Sequence, residues 1–190
     1  MCHPCGCYSK LEQSGTGCWR FPYHRKNWIT ILESSYIVHL LPPYYENFSK
    51  RIIKSPKLYF YDTGLAAFLL GLRTSGDIID SNMKGALFEN LVITNMLKLN
   101  DHHFKIKEYW YWRDSNGHEV DLLTQQGDGL DIFEIKSTMT ILPKLFSGMD
   151  YLSNITQGRV RNRTLIYGGN EHYDRTLYQI RNWRGQAELK

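Results

Sequence analysis

His118–Ser137 reads HEVDLLTQQGDGLDIFEIKS, two apolar-rich runs on either side of a Gly127-Asp128-Gly129 turn. How these runs pair decides the fold. A four-residue loop from Gln126 to Gly129 sets Gln125 against Leu130, and counting outward in that register places Asp121 opposite Glu134. Opposed Cβ atoms in an antiparallel pair lie about 4.5–5.5 Å apart, and like charges there are destabilising unless a cation or a proton compensates. Glu134 and Lys136 are two apart on their strand and share one side, whereas Phe133 and Ile135 point to the other and fill core.

Outward from this hairpin, Ile106–Arg113 supplies a third strand, completing an antiparallel meander through Asn116-Gly117. Pro143–Leu152 reads as a helix, Thr164–Tyr167 as a strand and Leu177–Ile180 as a weaker one. Upstream, Asn82–Asn100 is the main helix, with Phe88, Leu91, Val92, Asn95 and Leu99 tracing a stripe at helical spacing. A Gly- and Asp-rich loop precedes it. Before that loop, Asp62 caps a compact helix that ends at Gly71. Further back come a short helix from Arg25, a β-rich run Tyr36–Leu41 stopped by Pro42 and Pro43, and extended pieces at Tyr44–Phe48 and Lys57–Tyr61. This part has the look of the wing of a winged helix without its first helices. The expected organisation is an irregular leader over 1–24, a partial winged-helix segment over 25–61, an α/β core over 62–183 (helix, three-stranded meander, helix, strand) and a tail over 184–190.

Bulk composition suits a folded chain, with 42% hydrophobic and 22% charged residues in 190. Residues 1–57 hold 8 Lys/Arg against 3 Asp/Glu, and the remainder 15 against 16, so the net charge of +4 comes from the front. No stretch approaches the ~20 apolar residues of a membrane span, and there is no signal-peptide core, so the expected location is the cytoplasm. Cys2, Cys5, Cys7 and Cys18 all fall near the start. Structural zinc sites pair two ligand couplets across a loop, and only Cys2/Cys5 forms one, so the segment reads as a poorly ordered leader.

The chemistry-bearing residues are Glu89, Asp121, Glu134 and Lys136. Glu89 shares a helix face with Val92, Ile93 and Met96, and Gly85 one turn earlier leaves room beside it for a ligand. Facing carboxylates suit hard Mg²⁺ or Mn²⁺, with Glu89, Asp121 and Glu134 as the metal-binding set, and a neighbouring lysine suits phosphate chemistry; hydrolysis of a phosphodiester is the matching reaction. Taken singly, the same residues read as exposed ion pairs of little worth. Lys50, Arg51, Lys54, Lys57 and Arg113 are candidates for contact with a phosphate backbone, although a solvated basic loop explains the first four at least as well. The Tyr109–Trp112 aromatics serve packing ahead of base stacking. His118 is turned to the face opposite Asp121 and is not counted as a ligand.

Three runs, Gly85-Ala86-Leu87-Phe88-Glu89, Gly117-His118-Glu119-Val120-Asp121 and Phe133-Glu134-Ile135-Lys136, resemble the PD-(D/E)XK nuclease pattern of the C-terminal domain of bacterial and archaeal AAA-type P-loop ATPases. Leu40-Leu41-Pro42-Pro43-Tyr44-Tyr45, Lys54-Ser55-Pro56-Lys57 and Tyr61-Asp62-Thr63-Gly64-Leu65 are similar to the segment preceding that core. The likeness runs from about Asn27 to Trp183. It implies a restriction-endonuclease-like fold, acidic metal positions at Glu89, Asp121 and Glu134, and the motif lysine at Lys136. It further implies a nucleic-acid partner, DNA in the first instance, and a separate ATPase or other protein partner. No G-x-x-x-x-G-K-[ST] phosphate loop is present, so no ATP site and no ATP hydrolysis are expected. A truncated gene, a remnant or a frame-shifted start would each account for the missing half. The alternative to a nuclease is a non-catalytic module that binds nucleic acid or protein.

Overall fold

The computed structural model describes residues 22–45, 55–102 and 107–185. The cysteine-bearing leader and the basic residues Lys50, Arg51 and Lys54 lie outside these residues. The fold is α/β, and the described residues form five α-helices, a two-stranded sheet and a mixed six-stranded sheet.

Helix α1 (Pro22–Ser34) leads into β1 (Val38–Leu41), which pairs antiparallel with β2 (Lys57–Phe60). Asp62 then starts α2 (Thr63–Leu69), its carboxylate accepting from the Gly64 and Leu65 amides, and Gly71 ends the turn at φ +81°. The expected Gly- and Asp-rich loop contains a helix instead, α3 (Ser75–Asp80). Thr74 and Asp77 form a reciprocal capping box there, and that local pairing outweighs the poor helix propensity of Gly76.

Helix α4 (Lys84–His102) is the expected main helix, rotated relative to the expected stripe. Its buried positions are Leu87, Asn90, Val92, Ile93, Thr94, Met96 and Leu97, while Phe88, Leu91, Asn95 and Leu99 are half-buried. Asn90 explains the rotation. Its side-chain oxygen accepts from the Phe60 amide at 2.7 Å, and its side-chain nitrogen donates to the Phe60 carbonyl and the Thr63 hydroxyl, both at 2.8 Å. The amide thereby acts as one rung of a ladder, satisfying backbone groups that β2 would otherwise bury unpaired and clamping β2 onto α4.

Strands β3 (Tyr109–Arg113), β4 (Glu119–Gln126) and β5 (Gly129–Lys136) form the meander. The register is the one read from the turn, with Gln125 opposite Leu130 and Leu122 opposite Phe133, but the ladder closes one pair further, at Gln126–Gly129, so the loop is two residues long. A 3-10 turn (Pro143–Phe146) and α5 (Ser147–Ile155) cross over to β6 (Val160–Tyr167), parallel to β5. Strand β8 (Gln179–Asn182) adds parallel to β6, and the short β7 (Tyr173–Asp174) adds antiparallel at the edge, giving the order β3-β4-β5-β6-β8-β7. The weaker strand expected at Leu177–Ile180 is β8, shifted by two residues, and the two-residue β7 is an addition to the expected sheet. Residue alternation fills both faces. Leu130, Ile132, Leu165 and Ile180 pack with Met149 and Leu152 of α5, while Phe133, Ile135 and Ile166 pack with Val92, Ile93 and Met96 of α4. Leu41 and Tyr59 join the latter cluster, so the β1–β2 hairpin contributes to the same core as α4.

Two local devices hold β4 where the site needs it. Asp114 is fully buried, and its carboxylate accepts from the Asn116 and His118 amides at 2.9 and 3.0 Å and pairs with His118 Nδ1 at 3.1 Å. The His118 ring also stacks on Tyr151 at 3.7 Å. At the other device, a Cβ on Gly148 would lie 2.1 Å from the Glu119 carbonyl oxygen, so only glycine lets α5 approach the start of β4 this closely.

Gly148→Ala is therefore expected to destabilise the protein by about 1–3 kcal/mol, whereas Gly85→Ala, with nothing within 4 Å of the added methyl, stays near wild type; thermal melts followed by circular dichroism check both. Asp114 gives a pH signature. Burial alone would raise its carboxyl, but the hydrogen bonds from His118 and Asn116 prevail and hold it below the usual carboxylate range. A depressed folded value means that its stabilisation is present above the unfolded value near ~4 and is lost as pH falls below it. The wild type should lose stability on acidification below pH ~4 more steeply than Asp114→Asn, as measured by urea titrations across that range.

Candidate functional site

The site lies where β4 begins, β5 ends and the first turns of α4 meet β2. Glu134 and Lys136 continue the row of Leu130 and Ile132 along β5, beyond the point where apolar packing covers it. Asp121 lies one residue past the last paired rung, Leu122–Phe133, and the Lys136 ammonium contacts both it and Glu134. The Asp121 side chain is 6% exposed and that of Glu134 is 10% exposed, so both carboxylates have left water.

Asp121 joins the two halves of the cluster. Its Oδ2 accepts from the Ile135 amide at 2.9 Å and from the Lys136 ammonium at 3.0 Å, while its Oδ1 lies 3.9 Å from Lys57 Nζ. Lys136 also reaches Glu134 Oε1 at 2.6 Å. On the other side, Lys57 contacts Glu89 Oε1 at 3.1 Å and forms a close ion pair with Glu119. The Tyr59 hydroxyl donates to the same Glu89 oxygen at 2.6 Å. Arg113, 46% exposed at the rim, pairs with the outer oxygen of Glu119 at 3.5 Å.

All four residues expected from sequence thus come together: Asp121, Glu134 and Lys136 by direct contact, and Glu89 through Lys57. Of the residues expected to touch nucleic acid, Arg113 borders the cluster, and Lys50, Arg51 and Lys54 lie outside the described residues. Tyr59 and Glu119 are members that the sequence reading did not count, and Lys57, expected as a candidate for contact with a phosphate backbone, pairs with three acids of the cluster. The signal was available, since Lys57 and Tyr59, like Glu119 and Asp121, stand two apart on a strand and share a side.

Electrostatically the cluster is overfilled with negative charge. Four carboxylates, Glu89, Glu119, Asp121 and Glu134, surround the two ammonium groups of Lys57 and Lys136. Burial, followed by the neighbouring Asp121 charge, pushes the Glu134 carboxyl up to about 8, and Lys136 offsets only part of this. The same two causes, in the same order, raise Glu89, against the pull of Lys57 and Tyr59. Burial alone would lower Lys57, yet Glu89, Asp121 and Glu119 together hold its ammonium well above the ordinary lysine value. Lys136 is raised likewise, with Asp121 and Glu134 outweighing burial. Both lysines are therefore locked in the charged form. Glu134 Oε2 remains buried without a hydrogen-bond partner.

The donor set is all oxygen and anionic, which suits a hard divalent cation, and the orphaned Glu134 oxygen offers a position for one. A closed cage is not preformed. Among the described residues, no three His, Cys, Asp or Glu side chains converge on one ion position, and Lys57 stands between Glu89, Glu119 and Asp121.

Comparison with known proteins matches two segments of the chain. A family model described as a domain of unknown function, DUF8612, matches residues 24–76, which include Lys57 and Tyr59. A second, the domain of unknown function DUF4143, matches residues 84–183, which include Glu89, Glu119, Asp121, Glu134 and Lys136. Uncharacterized protein Mb2031c of Mycobacterium bovis and uncharacterized protein Rv2008c of Mycobacterium tuberculosis are each 27% identical to this chain over 148 residues, 78% of its length and 32% of theirs. The chain spans about a third of the length of these curated relatives. With more than half of its residues matched by the second model, the chain belongs to the DUF4143 family.

Proposed function

We propose that the cluster is a divalent-metal site for phosphodiester hydrolysis on a restriction-endonuclease-like core. Asp121 and Glu134 would hold Mg²⁺ or Mn²⁺, and Glu89 would support the ion or its water. The observation that carries this reading is the buried, unpartnered Glu134 Oε2 in a cluster where carboxylates outnumber ammonium groups. Leaving a carboxylate oxygen buried and unpaired is costly, and a cation is the ligand that relieves both the missing partner and the excess charge.

When bound, the ion supplies Lewis-acid polarisation of a phosphoryl oxygen and a more acidic water. The protein groups do the positioning. Lys136 draws Asp121 and Glu134 toward one point, and its side chain, 35% exposed, keeps solvent access from which to donate to a non-bridging phosphate oxygen. The Ile135 amide fixes Asp121 Oδ2, so the carboxylate needs no reorganisation when charge arrives. Open space at Gly85 leaves an approach past α4 to Glu89. Arg113, exposed at the rim beside Glu119, would meet the next phosphate along a strand, which supports nucleic acid as the substrate class.

One observation favours a second reading. The ion pairs that Lys57 makes with Glu89 and Glu119 let part of the cluster stand without metal, as a non-catalytic module docking on nucleic acid or on a protein such as a separate ATPase would require.

Incubating the purified chain with circular duplex DNA, single-stranded DNA and RNA in Mg²⁺ or Mn²⁺ decides between the two. The nuclease reading expects cleavage that falls by at least ~100-fold in Glu134→Gln and in Lys136→Ala. No cleavage by folded parent protein, with nucleic-acid binding retained, would favour the docking module.

A further inference from the structure

Lys57 has no part in the metal-site reading above, yet among the described residues it makes more charged contacts than any other member of the cluster. One ammonium faces Glu89, Glu119 and Asp121 and lies 5.3 Å from the centre of the Tyr111 ring. A purely structural ion pair needs one acceptor, and a surface pair contributes little. Glu89, Glu119 and Asp121 all pair with this one ammonium, so Lys57 is the cation that balances this side of the cluster.

We propose that Lys57 is a resident counter-ion that competes with the divalent cation for the carboxylates of Glu89, Glu119 and Asp121, so that the segment preceding the α4–β6 core controls loading of the site. This inference rests on the metal-site reading and adds its regulation. In the closed state, the +1 of Lys57 holds together three carboxylates that would otherwise repel one another. A divalent ion brings twice the charge to the same oxygens, so its arrival and the departure of Lys57 are linked.

The backbone suits such an exchange. Lys57 is the first residue of β2, on the last rung of the β1–β2 ladder opposite Leu41, so its side chain can leave without breaking a strand. Its side chain keeps 23% exposure, which gives the ammonium a route to water. Tyr59, two residues on, is anchored by its hydrogen bond to Glu89, and the Phe60 backbone by Asn90. The strand therefore stays docked while its first side chain moves. Any partner that pulls on residues before β2 would act directly on the cation of the site. The lysine and the carboxylates also fall in separately matched segments, 24–76 and 84–183, so the contact links the two.

The test is Mn²⁺ and Ca²⁺ binding by isothermal titration calorimetry on the full chain, comparing wild type, Lys57→Met and Lys57→Arg. Lys57→Met should bind Mn²⁺ at least ~10-fold more tightly than wild type, and Lys57→Arg, which keeps the charge, should stay within about threefold of it. Equal affinity for wild type and Lys57→Met overturns the competition and leaves the metal site standing. No binding by any of the three overturns the metal site, and the competition with it. If Lys57→Met is unfolded in metal-free buffer, Mn²⁺ should refold it. Failure to do so, with Lys57→Arg folded, also overturns the proposal.

Discussion

Everything at this site follows from the burial of two carboxylates that face each other across a hairpin. Asp121 and Glu134 both pair with the Lys136 ammonium, and both are removed from water by the sheet and its helices. Like charges so placed cannot both remain ionised without compensation. The rest of the cluster is that compensation: Lys136 from the same strand, Lys57 from a neighbouring hairpin, the Ile135 amide, and a Glu134 oxygen still without a partner.

The fold provides rigid supports for each contributor. Strands β4 and β5 fix the carboxylates, the Asp114 turn and the Gly148 approach fix the start of β4, and Asn90 fixes β2 to α4 so that Lys57 and Tyr59 meet Glu89. Helix α4 is thus shared property, supplying Leu87 and its neighbours to packing, Asn90 to a neighbouring strand and Glu89 to the charged cluster. The β1–β2 hairpin is equally double in purpose, since Tyr59 is both a core residue and the hydroxyl that holds Glu89.

Much of this was legible in the residues themselves because it depends on local rules. The Gly127-Asp128-Gly129 turn and strand alternation fixed the facing of Asp121 and Glu134, and Asp62 announced its helix. What escaped was set by tertiary context. The buried face of α4 turned because a polar residue, Asn90, found backbone partners thirty positions away, which no apolar periodicity encodes. Helix α3 was hidden by a glycine and two aspartates whose composition reads as loop until the Thr74–Asp77 capping box is recognised. Lys57 was grouped with a basic loop because its neighbours in sequence, Pro56 and Lys54, suggest one, whereas its neighbours in space are three acids.

The most direct test of the account is where a paramagnetic ion binds. Backbone amide spectra of the full chain, recorded by nuclear magnetic resonance during titration with substoichiometric Mn²⁺, report this by line broadening. The account predicts selective loss of the Asp121, Glu134, Ile135 and Lys136 signals, followed by that of Glu89. Broadening centred elsewhere, or none up to millimolar Mn²⁺, would contradict it.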